Sequence, residues 1–585
     1  MLTDLHVERL AWGGDGVARA ADGRVVFVTG ALPGQRVDVA VTEERRRMIR
    51  GTVRRLIADP FAAPAASPGV GQGADPLAAR LAGPDVDSGV DSGADPGAAA
   101  PASLRWPDPG PPACATADRC GGCSFQGVAP QRALAALVDA GMDALRRVAP
   151  AVAWPAPTVR PSPSVHGYRE RVRLRVARDG RTGYRAAASH EPVWIVDRCP
   201  VLHPSLEAAR PLAGQLAAGL PRVHTFRLER DDVRDQVMLE IPCEDGDLDT
   251  IRELVAERLA GVAPGALQVV LRSRARAVPV CGDGRVYRDR GPVVTREASG
   301  QFAQAHGQLN RALRARVIEA ATAPGVAPGA APAAEPGIAP GIAPGIAPEI
   351  VPEIVPGGAA PQVPGLRVAE LFCGAGNFTF ALAAHPTVGS VTAFDVAGEA
   401  IAAAREAAAR EAAARSETGA GSCDRGPDAA SAASPARDGR AGSAGISFVE
   451  VDLAGDPDSA SGAESIGPAS GAGSDAGPDE LPGAPSGELS AALLGADVVV
   501  TDPPRGGMAA GLVSALADGR RCAASRLVYV SCDPPALARD VARLADGGWR
   551  VVALEWWEMF PRTAHLEALA VLERPAASQA SGRVV

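Results

Sequence analysis

The stretch VAELFCGAGNFTF at residues 368–380 decides the fold of the C-terminal half of the chain. An apolar run typical of a buried strand leads into a glycine-containing turn, and a helix-like segment follows. Gly374 and Gly376 let a ligand approach the backbone closely where helix N-terminal amides are free. The spacing is not that of the GxGxxG dinucleotide pattern. The stretch therefore predicts a strand, a ligand-binding turn and a helix.

Further apolar runs (SVTAFDV, ISFVEVD, ADVVVTDPP and RLVYVSC) alternate with helix-like segments over 295–575. This alternation predicts an α/β doubly wound sheet. Asp395 ends the second strand, Asp452 ends the third, and Asp502 opens DPPR at the end of the fourth. Any one of these acids could cap a helix instead. Because ligands bind at the carboxyl ends of strands in such sheets, we expect the three acids to line one crevice.

In YVSCDPPALARD, residues 529–540, Cys532 falls between an apolar run and a helix-like segment. A thiol on such a turn, near a helix N-terminus, can have a lowered pKa and act as a nucleophile. A buried, inert cysteine is the alternative.

The length of 585 residues suggests roughly three or four domains. We expect a small all-β barrel at 1–58, a mixed α/β central domain at 114–290 and the doubly wound sheet at 295–575. Four low-complexity stretches, rich in Ala, Gly and Pro, separate or interrupt these blocks, at 62–113, 322–364, 416–445 and 454–490. We find neither a signal peptide nor an apolar run long enough to cross a bilayer, so we expect a cytoplasmic protein without membrane contact.

The segment CATADRCGGC, residues 114–123, has the spacing C-x5-C-x2-C. Three close thiolates with glycines between them predict a metal or cluster site that lacks one ligand. The spacing is compatible with zinc and with an iron–sulphur cluster.

Taken together, ELFCGAGNFT, DPPR, SCDPPALARD and HLEALAVL resemble the RNA 5-methyluridine (uracil-C5) methyltransferase family. The resemblance is to the branch with an N-terminal OB-like TRAM barrel and a [4Fe-4S] cluster. It implies a C-terminal Rossmann-like class I methyltransferase domain that uses S-adenosylmethionine. It also implies that Cys532 is the nucleophile and Glu567 the general base. Uracil C5 chemistry requires the same parts: a thiolate that adds to C6, a methyl donor, and a base that removes the C5 proton.

The resemblance further implies six donor-binding residues, namely Gln304, Phe372, Asn377, Asp395, Asp452 and Asp502. The implied cluster ligands are Cys114, Cys120, Cys123 and Cys199. The chain departs from the family at two positions, with His306 and Asp533 where Asn is common. The first departure puts a local contact in doubt, and neither removes a reacting group.

The segment GGDGVARAADGRVVFVTG resembles the TRAM domain, and arginines cluster at 43–55, 168–181 and 271–278. The alternating RVRLRV in the second cluster predicts a strand with one arginine-covered face, which suits a polyanion. Tyr168 and Arg169 lie where the central domain could assist in unstacking a target base. We expect RNA as the partner, 23S ribosomal RNA in preference to transfer RNA, no DNA, and a monomer.

Two other functions stay open at this point. Cytosine-C5 methyltransferases place their cysteine after proline in the fourth-strand motif, whereas DPPR contains no thiol. A non-catalytic RNA-binding or ribosome-assembly factor would not need Cys532, Glu567 and Asp502. Substitution of Cys532 separates that factor from an enzyme.

Overall fold

The computed structural model describes residues 1–60, 114–116, 120–125, 128–186, 191–195, 197–261, 267–324, 365–419, 445–453 and 487–574. Apart from a few residues at their edges, the low-complexity stretches predicted at 62–113, 322–364, 416–445 and 454–490 lie outside the described residues. No helix in the described part of the chain is long and apolar enough to span a membrane.

The N-terminal unit is all-β, as predicted. Its strands are β1 Leu2–His6, β2 Arg9–Leu10, β3 Gly16–Arg19, β4 Val25–Thr29, β5 Arg36–Glu44 and β6 Met48–Ala58. They form a six-stranded sheet in the order β1-β5-β6-β4-β3-β2. Val26 and Val28 on β4 alternate with more exposed neighbours, and they are fully buried in its core together with Val37 and Val39 on β5.

A helix and a short strand follow, α1 Pro130–Val148 and β7 Thr158–Arg160. The central sheet is then built from β8 Arg171–Val176, β9 Thr182–Arg185, β10 Pro192–Trp194, β11 Thr225–Arg230, β12 Val237–Pro242, β13 Leu267–Arg272 and β14 Ala277–Cys281. Its order is β10-β9-β8-β11-β12-β13-β14, antiparallel except between β12 and β13. Helices α2 Pro204–Ala217 and α3 Leu248–Leu259 pack on one face, where Leu174, Phe226 and Ile251 are buried. The hairpin β15 Arg285–Asp289 and β16 Val294–Ala298 leads out of this sheet.

The C-terminal sheet is the doubly wound α/β sheet that the strand pattern predicts. Its helices are α4 Gly307–Thr322, α5 Thr379–Ala383, α6 Gly398–Gly419, α7 Gly487–Gly495, α8 Ala510–Ala517 and α9 Pro534–Asp546. Its strands are β17 Leu366–Leu371, β18 Val388–Asp395, β19 Gly445–Glu450, β20 Val498–Thr501, β21 Arg526–Ser531, β22 Arg550–Phe560 and β23 His565–Glu573. The order is β19-β18-β17-β20-β21-β23-β22-β7.

Strands β19 to β21 are parallel, whereas β23 runs antiparallel to both of its neighbours. All residues of β20 and β21 are buried, as expected for parallel strands covered by helices on both faces. The chain order reverses between β17 and β20. This is the switch point at which open α/β sheets form a crevice.

Strand β7 extends the C-terminal sheet, and helix α1 packs against it, although both belong to the predicted central block 114–290. β7 pairs in parallel with β22, and Gly141 of α1 lies so close to the Trp556 ring that a Cβ atom there would be 2.7 Å from it. Parallel pairing between segments nearly 400 residues apart leaves no local signature in a sequence, so the strand pattern could not indicate it.

Candidate active site

Four of the predicted site residues lie at the carboxyl edge of the C-terminal sheet. Phe372 follows β17, Asp395 ends β18, Asp502 follows β20 and Cys532 follows β21. Asp452, two residues beyond β19, is exposed. The amide of Asp502 donates to the Leu371 carbonyl at 3.4 Å, which joins the ends of two neighbouring strands.

Three residues of the turn after β17 have positive φ angles, in the left-handed region of backbone conformation. Phe372 has φ 60°, Gly374 φ 55° and Gly376 φ 86°. The first value is uncommon for a residue other than glycine. Asp395 fixes the turn, because its carboxylate accepts hydrogen bonds from the Gly374 amide at 2.7 Å and from the Ala397 amide at 2.8 Å. A Cβ on Gly374 would have no atom of the described residues within 4 Å, so these residues leave open space beside the backbone there.

Two of the predicted donor-binding amides have different surroundings. Asn377 exchanges hydrogen bonds with Asn310 on α4, at 3.0 and 3.1 Å, and accepts a third from Arg290 at 3.0 Å. Gln304 is buried, and its Oε1 has no hydrogen-bond partner among the described residues. A buried carbonyl oxygen without a partner is costly, so Gln304 is suited to receive a ligand's donor group.

Three titratable side chains at this edge interact electrostatically, namely Cys532, Glu567 and Asp502. Burial raises the pKa of the Cys532 thiol to about 12, and the charges of Glu567 and Asp502 raise it as well. Burial also raises the pKa of Glu567 well above its usual value and that of Asp502 to about 7. Arg505 of DPPR opposes these shifts, because its charge lowers the pKa values of Cys532 and Glu567. The expectation of a lowered thiol pKa is therefore wrong, since burial and two carboxylates outweigh the turn and the helix N-terminus.

The strand-to-helix turn at Cys532 is well defined. Pro534 is the first residue of α9, and Asp533 caps the helix by accepting from the Ala536 amide at 3.0 Å. The thiol is thus held between the end of β21 and the start of α9. The family departure at Asp533 preserves a good N-cap residue.

The other departure, His306, also caps a helix. Its Nδ1 accepts from the Leu309 amide at 3.4 Å at the start of α4, and its Nε2 lies 2.9 Å from the Ser162 hydroxyl. Burial lowers the pKa of His306 to about 4, so the ring stays neutral at physiological pH.

Glu370 is a buried acid that the sequence reasoning did not single out. Thr379 donates to its Oε2 at 2.5 Å, and its Oε1 has no partner among the described residues. Burial raises the pKa of Glu370 to about 8. The signal in the sequence is one acid inside the otherwise apolar stretch VAELF.

The arginine-covered face predicted for RVRLRV is only partly open to a polyanion. Val172, Leu174 and Val176 are buried on one face of β8, and the arginines alternate with them. Arg171, however, donates to the Ala303 carbonyl at 2.9 Å. This part of the face holds the segment that contains Gln304.

Four cysteines line one pocket beside β9. They are Cys114, Cys120, Cys123 and Cys199. Burial raises the pKa of Cys120 to about 11, and the other three thiols add to the effect. No three His, Cys, Asp or Glu side chains among the described residues are arranged to hold a single metal ion.

The C-terminal sheet, with its crevice at the carboxyl edge between β17 and β20, has a Rossmann-like fold. The structure superimposes on a tRNA (uracil-54, C5)-methyltransferase from Pyrococcus abyssi in complex with S-adenosyl-L-homocysteine, with a TM-score of 0.52 at 17% identity. The match covers 97% of this chain and 99% of that one, and it shows a shared fold.

Residues 3–53 match the TRAM domain. The chain is 28% identical to the 23S rRNA (uracil(1939)-C(5))-methyltransferase RlmD of Chromohalobacter salexigens, over 97% of this chain and 89% of that protein. It is 27% identical to the protein of the same name from Pseudomonas putida, over 97% and 93%. Both relatives are named RNA uracil-C5 methyltransferases, and this chain is similar to them over nearly its full length.

Proposed function

We propose that this protein transfers a methyl group from S-adenosylmethionine to C5 of a uridine in 23S ribosomal RNA. The observation that supports this most directly is the grouping of Cys532, Glu567 and Asp502 at the carboxyl edge of the sheet. A thiol and a carboxylate in one crevice are what the chemistry of uracil C5 requires.

In the proposed reaction the Cys532 sulphur bonds to C6 of the uracil, and the C5=C6 electron pair moves to make C5 nucleophilic. When bound, S-adenosylmethionine supplies the methyl group that C5 takes up. Glu567 then removes the C5 proton, the C5=C6 bond reforms, and the bond between C6 and the sulphur breaks. Glu567 ends protonated and Cys532 leaves as the thiolate, so Glu567 must lose its proton before the next turnover.

The proposed donor contacts are those of Gln304, Phe372, Asn377, Asp395, Asp452 and Asp502. The open space at Gly374 supports a ligand at this edge, and the buried Oε1 of Gln304, which has no partner among the described residues, supports a ligand contact at Gln304. Since Asn377 is engaged with Asn310, its contact with the donor would use the remaining hydrogen-bonding capacity of its amide.

The reaction and substrate are tested together by mass spectrometry of nucleosides. Ribosomal and transfer RNA are incubated separately with the purified protein and S-adenosylmethionine that has a labelled methyl group. We expect the label in 5-methyluridine from ribosomal RNA. Label in transfer RNA alone would contradict the substrate, and label in 5-methylcytidine would contradict the reaction.

The pH dependence of the first covalent step follows from the raised pKa values. The thiolate is the reacting form of Cys532, whose pKa is about 12, so its population rises roughly tenfold per pH unit below that value. Formation of the protein–RNA bond in a single turnover should therefore accelerate steadily from pH 6 to pH 9. Arg505→Gln should lower the rate at each pH, because the Arg505 charge favours the thiolate. A rate that does not change over this range would contradict the assignment.

We further propose that Cys114, Cys120, Cys123 and Cys199 hold a [4Fe-4S] cluster. Four thiolates are the ligand set of such a cluster, and each would bind a different iron. The ligands then surround a volume, which agrees with four cysteines that line one pocket without meeting at a single-ion site. Methyl transfer to uracil needs no electrons, so the cluster would have a structural role.

Metal analysis tests this proposal without an activity assay. Protein purified without oxygen should contain iron and acid-labile sulphide in equal amounts, and Cys120→Ser should lose both. Cys281→Ser is the matched control, because Cys281 lies on β14 and does not line the pocket. Zinc in place of iron, or iron retained in Cys120→Ser, would contradict it.

A further inference from the structure

The loop 561–564, between β22 and β23, is contacted by three separate parts of the chain. The hydroxyl of Tyr168, next to the central sheet, donates a hydrogen bond to the Pro561 carbonyl at 3.2 Å. Phe125, two residues after Cys123, donates its amide to the Arg562 carbonyl at 3.0 Å. The N-terminal unit contacts the loop at Ala564 through Gly14.

The contact at Gly14 is tight. A Cβ on Gly14 would lie 2.6 Å from the Ala564 Cβ, whereas one on the preceding Gly13 would have no atom from the described part of the chain within 4 Å. Both glycines are in the left-handed region, with φ 92° and 101°. Gly13 and Gly14 therefore have similar backbone conformations, but only a side chain at Gly14 would collide with the loop.

The loop also sets the position of Glu567. On β22 and β23 the paired residues are Trp557 with Glu567 and Phe560 with His565, and the register is irregular between them. From Trp557 to Phe560 β22 advances by three residues, whereas β23 advances by only two between their partners His565 and Glu567. Arg562 has φ 64°, and Thr563 donates twice to the Phe560 carbonyl, from its amide at 3.1 Å and from its hydroxyl at 2.7 Å. A shift of this compact loop would move the start of β23, where Glu567 is the third residue.

Tyr168 is not available to an RNA base. It is 5% exposed, and its ring stacks on His306 with centroids 5.2 Å apart. The expectation that Tyr168 assists in unstacking the target base therefore does not agree with the structure. Its hydroxyl points to the loop instead.

We propose that the loop 561–564 positions Glu567 for removal of the C5 proton, and that Gly14 and Tyr168 are positioning residues that hold the loop. This rests on the proposed function, in which Glu567 is the base. It links the N-terminal unit and the central part of the chain to one chemical step. Binding of RNA to those parts would then help to align the base.

The test measures the step that Glu567 performs. Unmodified 23S RNA transcript and S-adenosylmethionine with a tritiated methyl group are mixed with each full-length variant. After nuclease digestion, a denaturing gel separates label that is still bonded to the protein from label in released RNA. Protein-bound label reports methylated uracil whose C5 proton has not been removed, and a merely destabilised protein would not accumulate it.

Gly14→Ala should slow the release of methylated RNA about tenfold or more and accumulate protein-bound label, because small displacements of reacting groups have large costs. Gly13→Ala should behave like the unchanged protein. The double variant Gly14→Ala with Ala564→Gly removes the 2.6 Å contact and should restore release. Accumulation in Gly13→Ala, or no restoration in the double variant, would overturn the role of this contact.

Tyr168→Phe removes only the hydroxyl, and it should also slow release and accumulate protein-bound label. Tyr287→Phe is its matched control, since the Tyr287 hydroxyl donates to Asp283 at 2.9 Å on another hairpin. If Gly14→Ala and Tyr168→Phe show no accumulation while Glu567→Gln does, the loop proposal is wrong and the proposed function stands. If Glu567→Gln itself shows none, the assignment of the base is wrong and the loop proposal falls with it.

Discussion

Replacing Cys532 with alanine is expected to abolish methylation of RNA, a loss on the order of 10⁴-fold or more. Without the sulphur no bond to C6 forms, and C5 of uracil is not nucleophilic enough to take a methyl group. Both the protein-bound label and the label in 5-methyluridine should fall to the background of the assay. Binding of S-adenosylhomocysteine should change little, because Cys532 is not among the proposed donor contacts, which lie on the turn after β17, at the ends of β18 and β19, at Asp502 after β20 and at Gln304.

The matched control is Cys281→Ala, which removes a half-buried thiol from β14 in the central sheet. It should methylate like the unchanged protein. Residual methylation by Cys532→Ala with protein-bound label would show that another residue is the nucleophile. If the protein bound 23S RNA but neither it nor Cys281→Ala methylated any RNA, a non-catalytic RNA-binding factor would be the better interpretation.

The fold of the C-terminal half follows from local patterns. Runs such as ADVVVTDPP and RLVYVSC are apolar throughout, which is typical of parallel strands buried on both faces, and they do form β20 and β21. Asp502 and Cys532 each come directly after an apolar run. The sequence therefore also predicts that they share one edge of the sheet. Glu567 depended on the family resemblance, because an acid in a C-terminal strand has no local signature.

Features that depend on distant segments could not be predicted. The pKa of Cys532 is raised by Glu567 and Asp502, which come from different strands, whereas the local turn and helix indicate the opposite shift. The contact between Gly14 and Ala564 joins residues 550 positions apart. In the sequence, Gly14 is one glycine of an ordinary turn.

Replacing Glu567 with glutamine should separate methyl transfer from release of the product. The amide is close in size to the carboxylate but cannot accept the C5 proton, so the uracil stays bonded to Cys532 after it has been methylated. Removal of a general base typically costs 10²–10⁴-fold, and we expect release of methylated RNA to slow by roughly that factor. Protein-bound tritium should rise toward one methyl group per chain.

Glu567→Gln should slow release of the product but should not slow the first covalent step, the bond between Cys532 and C6. Where Glu567 is ionised, its charge raises the pKa of Cys532, so its removal should increase the thiolate population at such a pH. In single turnovers Glu567→Gln should therefore form protein-bound label at least as fast as the unchanged protein. Glu555→Gln is a matched control, since Glu555 is an equally buried acid on β22 that pairs with Arg160 and Arg316. Fast formation with slow release identifies Glu567 as the base, whereas slow formation without accumulation would place its role before methyl transfer.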